Sequence, residues 1–185
     1  LNPARPTAQL TGVPDPRWCR PLAAAHQALG VRRAMVVCGQ AEGAWLDEFS
    51  TSGANTIAEY FPEKDIVVST MEFGPLQMQP AKLADLTGGD AATNAQILRD
   101  ILAGKERGPK RDAVLLNAGA ALFVVGRARS MGDGVELAEQ LIASGQAEAK
   151  LRELIEAIKS QPVASKSVIR RLESQTGAQE ALKNE

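Results

Sequence analysis

Five consecutive apolar residues, Ala34-Met35-Val36-Val37-Cys38, constrain the fold more than any other stretch of this chain. A run this short cannot span a membrane, and an unbroken one reads as a strand covered on both faces. The residues before it supply a cover. Ala8 to Val13 reads as a short extended segment. Pro14-Asp15-Pro16 reads as a turn, with Asp15 placed to cap a helix and Pro16 at its first position. That helix carries Trp18, Leu22, Ala25 and Leu29 at spacings of three and four, which predicts one apolar face, and Gly30 ends it. Extended segment, helix and strand form a βαβ unit, whose crossover is expected to be right-handed.

The acids follow directly. Asp47 and Glu48 stand side by side in Ala44-Trp45-Leu46-Asp47-Glu48-Phe49-Ser50, among Gly39, Gly43 and Gly53. If the apolar run is a strand, they lie beyond its carboxyl end, where open α/β sheets place ligands. Neighbouring carboxylates can hold Mg²⁺, and the ion can hold a phosphate. A solvated acidic pair in a surface loop is the other reading of the same residues.

Further along, Thr56 to Tyr60 and Asp65 to Thr70 read as strands, and Met71 to Pro80 as a loop. The rest reads as helical. Asp90 opens a helix with Ala95, Ile97, Leu98, Ile101 and Leu102, closed by Gly104. Pro109 opens a second, whose Ala113, Ala118, Gly119, Ala120 and Ala121 permit close packing. A third is expected from Asp133 to Ser144 and a fourth from Glu148 to Lys159. Residues 1–160 are therefore read as an α/β domain and 161–185 as a polar tail with some helical character.

A length of 185 residues suits one domain with a real core. Lys plus Arg number 21 and Asp plus Glu 22, a net charge of −1. That balance argues against a nucleic-acid partner or an anionic membrane surface. Cys19 and Cys38 lack metal-ligand spacing and are expected to be free thiols in a reducing, cytoplasmic setting. The chain begins at Leu1 rather than Met, and is expected to lack an amino-terminal part.

Four phrases carry a resemblance. Leu1-Asn2-Pro3-Ala4-Arg5-Pro6, Leu46-Asp47-Glu48-Phe49-Ser50, Gly88-Gly89-Asp90-Ala91-Ala92-Thr93-Asn94-Ala95 and Arg111-Asp112-Ala113-Val114-Leu115-Leu116-Asn117-Ala118 follow one another in the order of a known family. Over residues 1 to 160 the chain resembles the carboxyl half of the anthranilate phosphoribosyltransferases. The resemblance implies an α/β fold with a mostly parallel central sheet flanked by helices, as in the large domain of the nucleoside phosphorylase and phosphoribosyltransferase class. A separate helical domain, absent here, completes that class. It implies transfer of phosphoribose from phosphoribosyl pyrophosphate to anthranilate, in tryptophan biosynthesis, with Mg²⁺ held by Asp47 and Glu48. It implies a homodimer formed through the helical domain. Pro3 would line the path of the acceptor. No side chain is assigned acid or base chemistry, because positioning and charge stabilisation can carry such a transfer.

The family's glycine-rich phosphate loop has no counterpart in this sequence, so the chain by itself is expected to be inactive. Trp45 beside the acids departs from the family's usual phrase. A pyrimidine-nucleoside phosphorylase on the same fold is one rival reading, and a non-catalytic nucleic-acid-binding relative is another.

Other residues read as structural. Gly88-Gly89-Asp90 looks like a phosphate loop, but Asp90 as a helix cap explains it. His26, the lone histidine, reads as packed. Cys38 reads as a small buried hydrophobe, Asn117 as a buried hydrogen-bonding residue serving packing, and Met71, Phe73 and Met78 as a satellite cluster. Lys105, Arg107, Lys110 and Arg111 read as a solvated basic face.

Overall fold

Strands β1 (Ala8–Gly12) and β2 (Arg33–Ala41) lie parallel in register, Ala8 opposite Arg33 and Gly12 opposite Val37. Helix α1 (Cys19–Ala28) connects them, so the apolar run is the strand of a βαβ unit as expected. This is a computed structural model, which describes residues 2–72, 78 and 81–160. The turn before α1 is capped as its sequence predicts, with the Asp15 carboxylate accepting from Arg17 N–H at 2.8 Å.

The rest of the sheet corrects one expectation. It is mixed, not mostly parallel. Strands β3 (Ala44–Leu46), β4 (Asn55–Tyr60) and β5 (Val67–Met71) complete it in the order β1-β2-β4-β5, with β3 also on β2. Only β1 with β2 is parallel; β3 and β4 run antiparallel to β2, and β5 to β4. The cause is connection length. A parallel pair needs a crossover of about a dozen residues or more, usually a helix. Only the β1–β2 connection contains one.

The β2–β3 connection is a two-residue hairpin. Ala41 pairs with Ala44, and the intervening Glu42 and Gly43 have φ of +48° and +80°. Positive φ at both positions is what the tight hairpin turn requires.

The two sheet faces are covered by different helices. On one, Cys19, Ala23, Val31, Ala34, Val36, Cys38, Ala58 and Tyr60 form a buried cluster with α1. The buried face of α1 is Cys19, Ala23 and His26, rather than the Trp18–Leu29 stripe; Trp18 and Leu29 are 58% and 66% exposed. The reason is local. Trp18 belongs to a 3₁₀ turn, Pro16–Trp18, so the α-helical phase starts one residue later.

On the other face, Met35, Val37 and Ile57 pack with Phe49, Met78, Ile101, Leu115, Leu116, Ala120 and Val124. These come largely from α3 (Ala91–Leu102) and α4 (Pro109–Val124), with Ala138 and Ile142 from α5 (Met131–Ala143). A short helix α2 (Leu83–Leu86) precedes them. Helices α4 and α5 meet at glycines. A Cβ on Gly134 would stand 2.3 Å from the Gly119 carbonyl oxygen. The small residues of α4 therefore do set a close crossing.

The chain divides into two compact units, Leu1–Glu148 and Ala149–Glu185. Helix α6 runs over Gln146–Ser160, and within the second unit its Lys159 pairs with Glu156 at 3.1 Å. The tail expected over 161–185 lies outside the described residues. So does Phe73; of its two companions, Met78 is buried in the main core and Met71 is 41% exposed.

Candidate functional site

The acid pair sits where β1 and β2 end, and the strands make room for it with glycines. A Cβ at Gly12, the last residue of β1, would lie 1.5 Å from the carbonyl oxygen of Asp47. A Cβ at Gly39 would lie 2.5 Å from the carbonyl oxygen of Glu48, and one at Gly53 would lie 2.6 Å from that of Gln40. Segment 47–53 is thus laid directly on backbone at the carboxyl ends of the parallel pair. No side chain larger than hydrogen fits beneath it.

Two asparagine side chains then fix the residues after the acids. Asn117 of α4 accepts from the Phe49 N–H at 2.9 Å through Oδ1, and donates to the Phe49 carbonyl at 3.2 Å through Nδ2. Its Nδ2 also donates to the Ala113 carbonyl at 2.9 Å. Asn55, at the start of β4 and fully buried, treats the next residue alike. Its Oδ1 accepts from Ser50 N–H at 2.7 Å, and its Nδ2 donates to the Ser50 carbonyl at 2.9 Å and the Gly53 carbonyl at 3.1 Å. Each amide replaces the pairing a neighbouring strand would give. The Phe49 ring, 1% exposed, is driven into the core between them.

Asp47 and Glu48 are left at the surface. Among the described residues the Asp47 carboxylate has no hydrogen bond or ion pair, and Glu48 Oε2 has only Asn117 Nδ2, at 3.5 Å. Glu48 is solvent-exposed as a residue, yet it lines a cavity of about 530 Å³ with Ile97, Ile101, Val114, Lys110 and Asn117. These walls strip part of its hydration, and Asp47 adds a like charge, so its carboxyl titrates above the ordinary Glu value of 4.5.

The pair suits a hard dication in one respect and limits it in another. Among the described residues no three or more His, Cys, Asp or Glu gather to form a metal cage. Mg²⁺ does not need one, since it keeps several waters and takes one or two carboxylates plus substrate phosphates.

Pro3 is placed elsewhere. It is exposed and lines a separate cavity of about 680 Å³ with Asn2, Arg5, Gln9, His26 and Leu29. His26 itself is 1% exposed and held to the Thr11 hydroxyl at 3.1 Å through Nε2, so it is a packed histidine. Burial lowers its pKa below 6.5. Cys19 and Cys38 are both buried and free, and burial pushes the Cys19 thiol up to about 11.

Asp90 caps α3 by accepting from Thr93 N–H at 2.8 Å, while Asn94 clasps the Gly89 N–H and carbonyl at 2.8 and 2.9 Å. Gly88-Gly89-Asp90 is thereby a helix cap. Members of the basic group are engaged separately: Arg111 with Glu139 and Asp112, Lys105 with Asp100, and Lys110 with the Asp85 carbonyl. The acids are legible in the sequence, whereas the roles of Asn55 and Gly12 emerge only in the structure. The signal for Asn55 was local, five residues from its partner beside Gly53. Asn117 acts on a residue 68 positions away, a pairing no local pattern reveals.

Comparison with known proteins agrees with this architecture. Residues 1–148 match the family described as "Glycosyl transferase family, a/b domain". The anthranilate phosphoribosyltransferase of Rubrobacter xylanophilus is 42% identical over 156 residues, 83% of this chain and 44% of that protein. The crystal structure of the enzyme of that name from Thermus thermophilus aligns at a TM-score of 0.69 and 35% identity, over 80% of this chain and 42% of that one. A Saccharomyces cerevisiae structure of the same name, in complex with PRPP and Mg, shares the fold at a TM-score of 0.70 and 24% identity, over 82% of this chain and 43% of that one. The chain spans less than half the length of the relatives it matches. By this match over residues 1–148, the chain belongs to the glycosyl transferase family through its α/β domain.

Proposed function

We propose that this chain is the α/β portion of an anthranilate phosphoribosyltransferase, acting on phosphoribosyl pyrophosphate and anthranilate. The observation that carries the reading is the unspent acid pair on a rigid platform at the strand ends, in a chain 42% identical to a transferase of that name. In the reaction the bond from ribose C1 to the pyrophosphate oxygen breaks and one from C1 to the anthranilate nitrogen forms. The nitrogen loses a proton, and pyrophosphate and N-(5-phosphoribosyl)anthranilate are released. Mg²⁺, when bound, would neutralise charge on the departing pyrophosphate.

Asp47 and Glu48 would hold that ion. Their contribution is placement: two carboxylates carried on a backbone that glycine contacts and asparagine amides hold, with Glu48 lining a cavity. No residue is required to take the lost proton, which can pass to solvent. Pro3 would line the acceptor's path once the rest of a longer protein is in place. The domain reading for 1–160, cytoplasmic location and dimerisation through a helical domain belong to the same proposal.

The test is turnover by the protein produced from its own gene, together with any portion encoded in frame with it. Loss of anthranilate fluorescence and release of pyrophosphate, both dependent on Mg²⁺, are expected. Phosphorolysis of a pyrimidine nucleoside without pyrophosphate release, or no reaction with anthranilate, would overturn the reading.

A further inference from the structure

We propose that Asn117 is the positioning residue of the acid pair: its side-chain amide, projected from α4, sets where Asp47 and Glu48 stand by gripping Phe49. This rests on the reading of Asp47 and Glu48 as divalent-ion ligands. Three observations carry it. The amide holds both backbone groups of Phe49, at 2.9 and 3.2 Å, so it fixes the peptide's rotation as well as its position. The same Nδ2 lies 3.5 Å from Glu48 Oε2, and both residues line the one cavity. Its third contact, to Ala113 at 2.9 Å, ties the amide back to its own helix, so the grip is anchored in the core-forming element.

The geometry divides the labour. Gly12 and Gly39 let the carbonyls of Asp47 and Glu48 rest on strand backbone. Asn55 holds Ser50. Asn117 holds the one residue between, and it alone of these touches a carboxylate of the pair. Without it, the peptide linking Glu48 to Phe49 regains rotation, and the two carboxylates cease to present a fixed pair. Groups that orient metal-binding carboxylates typically contribute about 10- to 100-fold to affinity.

The experiment is a Mn²⁺ titration of the chain followed by water-proton relaxation, with thermal unfolding of the metal-free protein alongside. The chains compared are the parent, Asn117→Leu, Asn117→Ser, Ser130→Ala and Asp47→Ala with Glu48→Ala. Asn117→Leu keeps the branched outline of the side chain and removes the amide; Asn117→Ser shortens the side chain and is measured beside it. Ser130→Ala removes the hydroxyl that caps α5 by accepting from Asp133 N–H, at a residue that does not line the cavity of Glu48. Expected is Mn²⁺ binding weakened about tenfold by Asn117→Leu, unchanged by Ser130→Ala and lost in the double variant. Faster hydrogen exchange at the Phe49 N–H should accompany the weakening. Parent-like affinity in both Asn117 variants would overturn the proposal while leaving the metal reading intact. Binding that survives the double variant would overturn the metal reading, and this proposal with it.

Discussion

Two turns of this protein each carry an acid and clasp the backbone with an asparagine, yet they leave the acid in opposite conditions. At Gly89-Asp90, Asn94 holds Gly89 and the Asp90 carboxylate accepts from Thr93 N–H. The acid is used within its own helix, and those hydrogen bonds lower its pKa. At Asp47-Glu48, Asn117 and Asn55 hold the following residues, and the carboxylates are left almost without protein partners. Partial loss of hydration, then the adjacent Asp47, raises the Glu48 pKa. A clasp that satisfies backbone groups frees an acid for a ligand; an acid that does the capping itself is occupied. Both turns pair an acid with an asparagine clasp, and the hydrogen bonds of each acid tell them apart.

The largest expected effect separates the turns by function. Replacing Asp47 and Glu48 by Ala should abolish detectable Mn²⁺ binding, measured by calorimetry, whereas Asp90→Ala should leave it unchanged and cost stability alone. Next comes the steric difference. A Cβ at Gly12 would meet the Asp47 carbonyl at 1.5 Å, and backbone cannot rotate away. Gly12→Ala should therefore lose about 3 kcal/mol in urea unfolding. A Cβ at Gly88 would meet only the end of the Asn94 side chain, at 2.3 Å, and that side chain can move. Gly88→Ala should lose about 1 kcal/mol. Equal losses at the two positions would mean that the acidic segment is not pressed on β1.

The smallest effect is on pH dependence, and the two acids carry opposite signs. The folded-state pKa of Asp90 lies below the ordinary 3.8, so its contribution to stability is complete above that pH and is lost as pH falls through the folded value. The folded-state pKa of Glu48 lies above the ordinary 4.5, so its contribution is complete below that pH and is lost as pH rises through the folded value. Urea midpoints of the metal-free protein against pH should show this. Asp90→Asn should flatten the acid limb below 3.8, and Glu48→Gln should raise stability above 4.5. The same sign for both variants would contradict the contrast.

What was legible in the sequence is what local physics encodes. The strand at Ala34, the Asp15 and Asp90 caps, the Pro109 helix start and the close-packing glycine of α4 all follow from residue type and spacing, and all formed. The pattern failed where a choice depended on something distant or rare. The β2–β3 hairpin needed Glu42 at positive φ, which a glutamate seldom adopts. A stripe phased from Trp18 lies one residue out of step with α1, because Trp18 belongs to the 3₁₀ turn. The sheet's mixed directions follow from short connections rather than from strand composition, so apolar runs alone could not show them. At the site the acids were visible as adjacent letters. Asn117 is legible as a hydrogen-bonding residue, but half-buried rather than buried, and its grip on their loop is not legible, because the partner is far away in sequence.

The proposed role of Asp47 and Glu48 is to hold one divalent ion together at the ends of the parallel strands. Crystals grown with Mn²⁺ and pyrophosphate, measured at the manganese absorption edge, would locate that ion. The expected result is an anomalous peak at coordination distance from both carboxylates, with pyrophosphate oxygens completing the shell. A peak that touches neither carboxylate, or none in crystals whose Asp47 and Glu48 are free of lattice contacts, would contradict it.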